Sequence, residues 1–165
     1  VSLKDGRHQN PSYGIIRTQR EVRGQIRRFR AILLLLRLHL YEPLVRLKQR
    51  LGHQSAAESP YTHATAEADA NRPYKLHGAC LIFTPSFVQH YDEPFDPRTF
   101  LYFEEHILWM RCQMAGLGMY YDPRIVVKHV EDASTDSMSA TKRRKMIFTL
   151  GNYVRSLKVL ETYVS

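Results

Sequence analysis

The apolar spacing between residues 20 and 51 limits the fold more than any other feature of the chain. Val22, Ile26, Phe29, Ile32 and Leu33, then Leu36 and Leu40, recur at steps of three and four, the period at which side chains return to one face of an α-helix. Arg20, Arg23, Arg27, Arg28 and Arg30 fall mostly around the other side. Pro43 is expected to kink or end this helix, because its ring lacks an N–H and crowds the preceding turn. Residues 44–51 then continue as a second, basic helical stretch before Gly52.

This block also explains the charge. The 165 residues carry 24 Lys/Arg and 16 Asp/Glu, a formal net charge of +8. Residues 20–50 hold nine of the cations against only Glu21 and Glu42, and the rest of the chain is close to neutral. A single basic segment does not make the whole chain a nucleic-acid-binding domain. Its aromatic residues also do not interleave with the basic ones as a base-stacking platform requires, so nucleic acid is not expected as a partner. Two readings remain for 20–51. One is an amphipathic helix lying on an anionic membrane surface, with Arg23, Arg27 and Arg28 towards the lipid. The other is a packed helix pair with a solvated arginine face. Arg30 and Arg37 interrupt the apolar run, which is too short to span a bilayer.

A chain that is 44% hydrophobic and 24% charged is not globally disordered. Its length suits one domain with a core, or part of a larger one. Cys80 and Cys112 sit in dissimilar surroundings and read as buried thiols in a reducing compartment rather than as a disulfide. The polar start Val1-Ser2-Leu3-Lys4-Asp5 has no initiator Met and no signal-peptide pattern, which suggests a piece of a longer protein.

Along the chain, residues 1–18 read as irregular, with turns at Asp5-Gly6 and Asn10-Pro11-Ser12. Residues 53–73 read as a mobile loop. Residues 76–83 form an apolar run that suits a buried strand, followed by a turn-rich connection from Pro85 to Pro97. A helix is expected from Glu104 to Ala115, ending at Gly116, with short strands at 119–121 and 125–127. A last amphipathic helix spans 141–163, with Met146, Leu150, Tyr153, Leu157 and Leu160 on one side. Lys142-Arg143-Arg144-Lys145 reads as its solvated start.

The chemistry concentrates in Phe100-Leu101-Tyr102-Phe103-Glu104-Glu105, where an aromatic turn or strand runs into a helix. The positive end of the helix dipole favours ionised carboxylates there, while their mutual repulsion raises the pKa of one. A carboxylate within about 3 Å of a sugar hydroxyl can take its proton as the oxygen attacks. The plainer alternative is that both acids complement the helix dipole and face water.

The order of elements resembles a known pattern. Gly78-Ala79-Cys80-Leu81-Ile82-Phe83, Phe95-Asp96-Pro97, Phe100 to Glu105, Leu108, Arg111, Gly116, Tyr121-Asp122-Pro123, Val127, His129 and Ser134 resemble the C-terminal half of family 2 glycosyltransferases that build bacterial cell-surface polysaccharides. The resemblance covers about residues 75–160. It implies an α/β fold, with the chain as the C-terminal, acceptor-side part of a GT-A-type domain. Residues 1–74 would then be an N-terminal segment carrying the basic insert, and 75–165 the acceptor-side catalytic part.

The reaction implied is transfer of a sugar from a nucleotide-diphosphate donor to a hydroxyl of a saccharide or lipid-linked acceptor, with inversion. The usual acidic pair of that family is Glu-Asp. Here it is Glu104-Glu105, with Glu105 as the base and Glu104 positioning it, roles the two could exchange. His129 is implied as a contact to the metal–diphosphate end of the donor, or else it is a histidine hydrogen-bonded at a strand end. Gly78, Tyr102 and Arg111 are candidate donor or acceptor contacts; Tyr121 and Trp109 could also stack on sugars, but aromatic residues there also suit a core. The family's Mg2+ or Mn2+ needs an Asp-x-Asp pair and a nucleotide-binding region, and neither occurs in this sequence. The chain alone is therefore expected to be inactive, at the cytoplasmic face of the plasma membrane. The alternative is a non-catalytic membrane-associating or scaffold domain of the same fold.

Overall fold

The computed structural model describes residues 8–50, 73–128, 130 and 141–165. The loop expected at 53–73 and the Asp5-Gly6 turn therefore lie almost wholly outside the described residues. Among the described residues five helices follow one another: α1 (Gln19–Arg37), α2 (Tyr41–Arg50), α3 (Pro85–His90), α4 (Glu104–Met114) and α5 (Lys142–Leu160).

Helix α1 starts where its first side chains can cap it. Thr18 Oγ1 accepts from Glu21 N at 3.3 Å, and the Glu21 carboxylate accepts from Thr18 N at 3.1 Å, so two donors without helical partners are satisfied reciprocally. The break between α1 and α2 falls at Leu38–Leu40, not at Pro43. His39 adopts a left-handed φ of 59° there, and Pro43 sits in the first turn of α2, where a missing N–H costs little. Helix α4 ends as its glycine predicts. Gly116, at φ 66°, donates to Gln113 O, and Leu117 N donates back to Cys112 O at 2.8 Å, the paired closure that a left-handed residue permits.

Helix α1 packs most extensively on α5. Val22, Ile26, Leu157 and Leu160 join Ile107 of α4 in the main core, with Val159 and Val164. A smaller cluster of Phe87, Leu108 and Cys112 covers the other side of α4. Helix α4 is thus buried on several faces, which accounts for apolar residues around most of its circumference. Fully burying each of these aliphatic side chains stabilises by about 1.5–3 kcal/mol.

Several expectations need correction. Residues 76–83, 119–121 and 125–127 form no strand, and Ile82, Tyr120 and Val126 are exposed. Among the described residues the only sheet-like pairing is one antiparallel bridge between Ser12 and Lys75. Helix α3 occupies part of the segment expected to be turn, capped by Thr84 and with Pro85 in its first turn. Cys80 is exposed, whereas Cys112 is buried. Arg143 is not simply solvated: it donates to Leu36 O at 2.8 Å and Arg37 O at 3.3 Å, closing the end of α1.

Candidate active site at the start of helix α4

The turn that delivers the acidic pair is left-handed for three residues. Leu101, Tyr102 and Phe103 have φ of 58°, 67° and 62°, and each such non-glycine residue costs about 1–2 kcal/mol. Contacts from α5 hold this conformation. Buried Ser156 donates to Leu101 O at 3.2 Å, and Tyr102 Oη lies 3.3 Å from Thr149 Oγ1. The rings of Tyr102 and Phe103 both stand edge-on to Tyr153, at centroid distances of 4.5 and 5.5 Å. The Leu101 N–H is taken by Glu104 Oε1 at 3.2 Å. The turn is therefore built from both ends, by the helix it starts and by the helix it packs against.

Glu105, one residue on, crosses to a different segment. Its Oε1 accepts from Gly78 N at 3.1 Å. A Cβ on Gly78 would stand 2.7 Å from that oxygen, so only glycine lets the carboxylate come this close. Lys75 lies at the foot of the same segment. It is buried, and its Nζ donates to Ser12 Oγ at 3.0 Å and Gly14 O at 2.9 Å. Burial lowers the Lys75 pKa, and the Glu105 charge partly offsets the effect. Glu104 is half-buried. Desolvation raises its pKa and the Glu105 charge adds to the rise, against the Leu101 N–H.

His106 anchors the other side. Its buried Nε2 lies 3.1 Å from Ile16 N and 3.0 Å from Ile16 O. Burial, then the Lys75 charge, pushes its pKa down to about 4, so the ring is neutral; Nε2 accepts from the Ile16 amide in one tautomer and donates to Ile16 O in the other. The 8–16 segment is thereby pinned to α4 by His106 and to residues 75–77 by the Ser12–Lys75 bridge and a bond from His77 N to Asn10 Oδ1. A cleft of about 160 Å3 opens beside Gly78, lined in part by His77, Cys80, Tyr120, Tyr121 and Asp122. Neither glutamate lines it.

The other candidate residues divide. Arg111 donates to Pro94 O and Glu93 O, each at 3.0 Å, and stacks 4.1 Å over the Tyr91 ring, so its guanidinium is used to hold the 91–95 turn. Tyr102 is occupied by α5, and Trp109 is buried in α4. The Tyr121 backbone N–H is held by Tyr74 Oη at 3.2 Å, at the rim of the cleft. His129 lies outside the described residues. Asp96, Arg98 and Tyr163 form a separate latch: Arg98 Nη2 and Tyr163 Oη donate to buried Asp96 Oδ2 at 2.6 and 2.8 Å. Glu105 and Gly78 are brought together, while the Glu104 carboxylate turns back to Leu101 N–H; Tyr102 belongs to the turn itself.

Sequence reasoning missed Lys75, His106 and Ser156. Their partners lie 63, 90 and 55 residues away in the chain, and no local pattern carries such pairings. Among the described residues, no group of three His, Cys, Asp or Glu could hold a metal ion. No family model matches the chain, and no curated protein or solved structure matches it significantly.

Proposed function

We propose that the chain is the acceptor-side part of an inverting glycosyltransferase of the family 2 type, acting in cell-surface polysaccharide synthesis at the cytoplasmic face of the plasma membrane. The observation that carries the reading is the Glu105 carboxylate. It projects from the first turn of α4, is held through one oxygen by Gly78 N–H, and is steered by a turn that accepts three left-handed residues. Backbone strain of that size persists where the surroundings enforce it, and it clusters at functional sites.

In this reading the acceptor hydroxyl gives its proton to the second Glu105 oxygen as its own oxygen attacks the anomeric carbon of the donor sugar. The bond from that carbon to the diphosphate breaks, the electron pair leaves with the nucleoside diphosphate, and the anomeric configuration inverts. Glu104 holds the turn through Leu101 N–H and thereby sets the direction of Glu105. Lys75 supplies positive charge near Glu105.

The described residues do not fit the Mg2+ or Mn2+ of that family. The acidic pair is engaged by backbone N–H groups, and a buried lysine lies nearby. No step is routed through a metal here. A second reading rests on the same contacts. One oxygen of each glutamate is already bonded within the protein, as suits a non-catalytic scaffold or membrane-associating domain.

The two readings separate in the complete gene product, assayed for nucleotide release from a panel of nucleotide sugars with saccharide and lipid-linked acceptors. Glu105→Gln should abolish transfer while the melting temperature and donor binding stay nearly constant. Glu104→Gln should lower transfer less. Full activity in Glu105→Gln would remove the base from this residue.

A further inference from the structure

One exposed stripe of α1 changes character along its length. Arg20, Arg23, Arg27, Arg30, Leu34 and Leu38 follow at steps of three and four and are all exposed, so they share one face, which flanks the Val22–Ile26–Leu33–Leu36 core side. Its first three turns are basic and its last is apolar. The basic part forms one wall of a cleft of about 530 Å3 between α1 and α5, to which Lys158 adds a fifth cation. The carboxylate lining this cleft, Glu161, is paired with Arg23 at 2.6 Å, which leaves Arg20, Arg27, Arg30 and Lys158 in excess over acid. The apolar part runs into α2, which buries none of its residues. Leu44 and Leu47 stand at helical spacing there, with Leu40 just before its start, and Lys48 lies one turn beyond Leu44. Leu34, Leu38, Leu40, Leu44 and Leu47 are each 46–58% exposed. No helix among the described residues is long and apolar enough to cross a membrane.

We propose that this stripe seats the protein on an anionic bilayer, with lipid phosphates in the α1/α5 cleft and the leucines of α2 and the end of α1 in the acyl boundary. Charge complementarity selects the partner. A surface that offers phosphate oxygens beside hydrocarbon matches both halves of the stripe at once, as an interfacial helix requires. A nucleic acid would meet the arginines but leave the leucines uncovered. A purely apolar protein face would leave four cations unmatched. Of the cations named from the sequence, Arg23 is paired with Glu161 and Arg28 lies off this stripe; the proposal assigns the lipid contact to Arg20, Arg27, Arg30 and Lys158. This surface deepens the membrane side of the proposed function and shares no residue with the acidic pair, so either reading can fail alone.

The test is co-sedimentation of the purified chain with phosphatidylcholine vesicles, with and without phosphatidylglycerol, over a salt titration. Binding should need the anionic lipid and weaken as salt screens it. The triple variant R20Q/R27Q/R30Q should bind anionic vesicles on the order of 100-fold more weakly, about fivefold per arginine. The L44Q/L47Q variant should still bind at low salt but be released at a lower salt concentration than the parent. All five positions are exposed, so the melting curves of both variants should overlay the parent's. Equal binding to neutral and anionic vesicles, or no change in either variant, would overturn the proposal. So would an oligonucleotide bound in place of vesicles, or a dimer that covers α2 and binds no lipid.

Discussion

Replacing Gly78 by Ala probes the contact on which the site depends. The new Cβ would stand 2.7 Å from Glu105 Oε1 and 3.4 Å from its Cδ and Cγ. The first distance is impossible, so the carboxylate must swing away and release Gly78 N–H. That bond is charge-assisted but solvent-exposed, so its loss falls at the low end of the range for such bonds, about 1.5 kcal/mol. Alanine returns about 0.4–1 kcal/mol by restricting the unfolded chain, and Gly78 has no positive φ to forbid it. The net cost is about 1 kcal/mol or less, a fall of about 2–4 °C at most in melting temperature for a chain of this size. Activity should suffer far more, because a displaced general base forfeits a contribution on the order of 100-fold or greater. The assay is a double-mutant cycle with Glu105→Ala, read by thermal melting and by transfer in the complete gene product. With the carboxylate gone there is nothing to strike, so Gly78→Ala should become neutral or slightly stabilising. The same destabilisation in both backgrounds would refute the close approach, and unchanged transfer in Gly78→Ala would refute its importance.

Four further outcomes follow from the surrounding contacts. His106 has a folded pKa of about 4 against an ordinary 6.5. The unfolded chain therefore binds the extra proton first as pH falls, and stability should decline between pH 6.5 and 4 by up to about 3 kcal/mol. Asp96, held well below the carboxylate range chiefly by Arg98 with help from Tyr163, contributes stability above its unfolded value of about 4, and that contribution is lost below it; urea melts across the pH range should show the second decline weakened in Asp96→Asn. Ser156→Ala removes the donor to Leu101 O and should cost about 1–2 kcal/mol in the same melts, together with a loss of transfer as the left-handed turn relaxes. Arg143→Ala frees the carbonyls of Leu36 and Arg37 and should cost about 1 kcal/mol, with faster hydrogen exchange confined to the last turn of α1 and the α1–α2 link.

What could be read from the sequence was what local physics decides. The 3–4 spacing of Val22 to Leu36 placed α1, and Glu104 to Gly116 marked both ends of α4. Thr84-Pro85 carried a readable start for α3, but the prolines and acids around it favoured a turn. The apolar run 76–83 read as a strand because short apolar runs do not distinguish a strand from an irregular segment. In the structure its backbone instead supplies Gly78 N–H to Glu105, a bond across 27 residues. The left-handed path of Leu101–Phe103 was also illegible, since none of these residues prefers that region. Only Ser156, Thr149 and Tyr153, about 50 residues further on, make it tenable.

The account's central claim is inverting sugar transfer from the acidic pair. Its most direct test is the anomeric configuration of the product, followed by NMR during turnover of the complete gene product with nucleotide sugars and a saccharide acceptor. The account predicts release of nucleoside diphosphate and a new glycoside of configuration opposite to the donor, both lost in Glu105→Gln. A product of retained configuration, or turnover that survives Glu105→Gln unchanged, would contradict it.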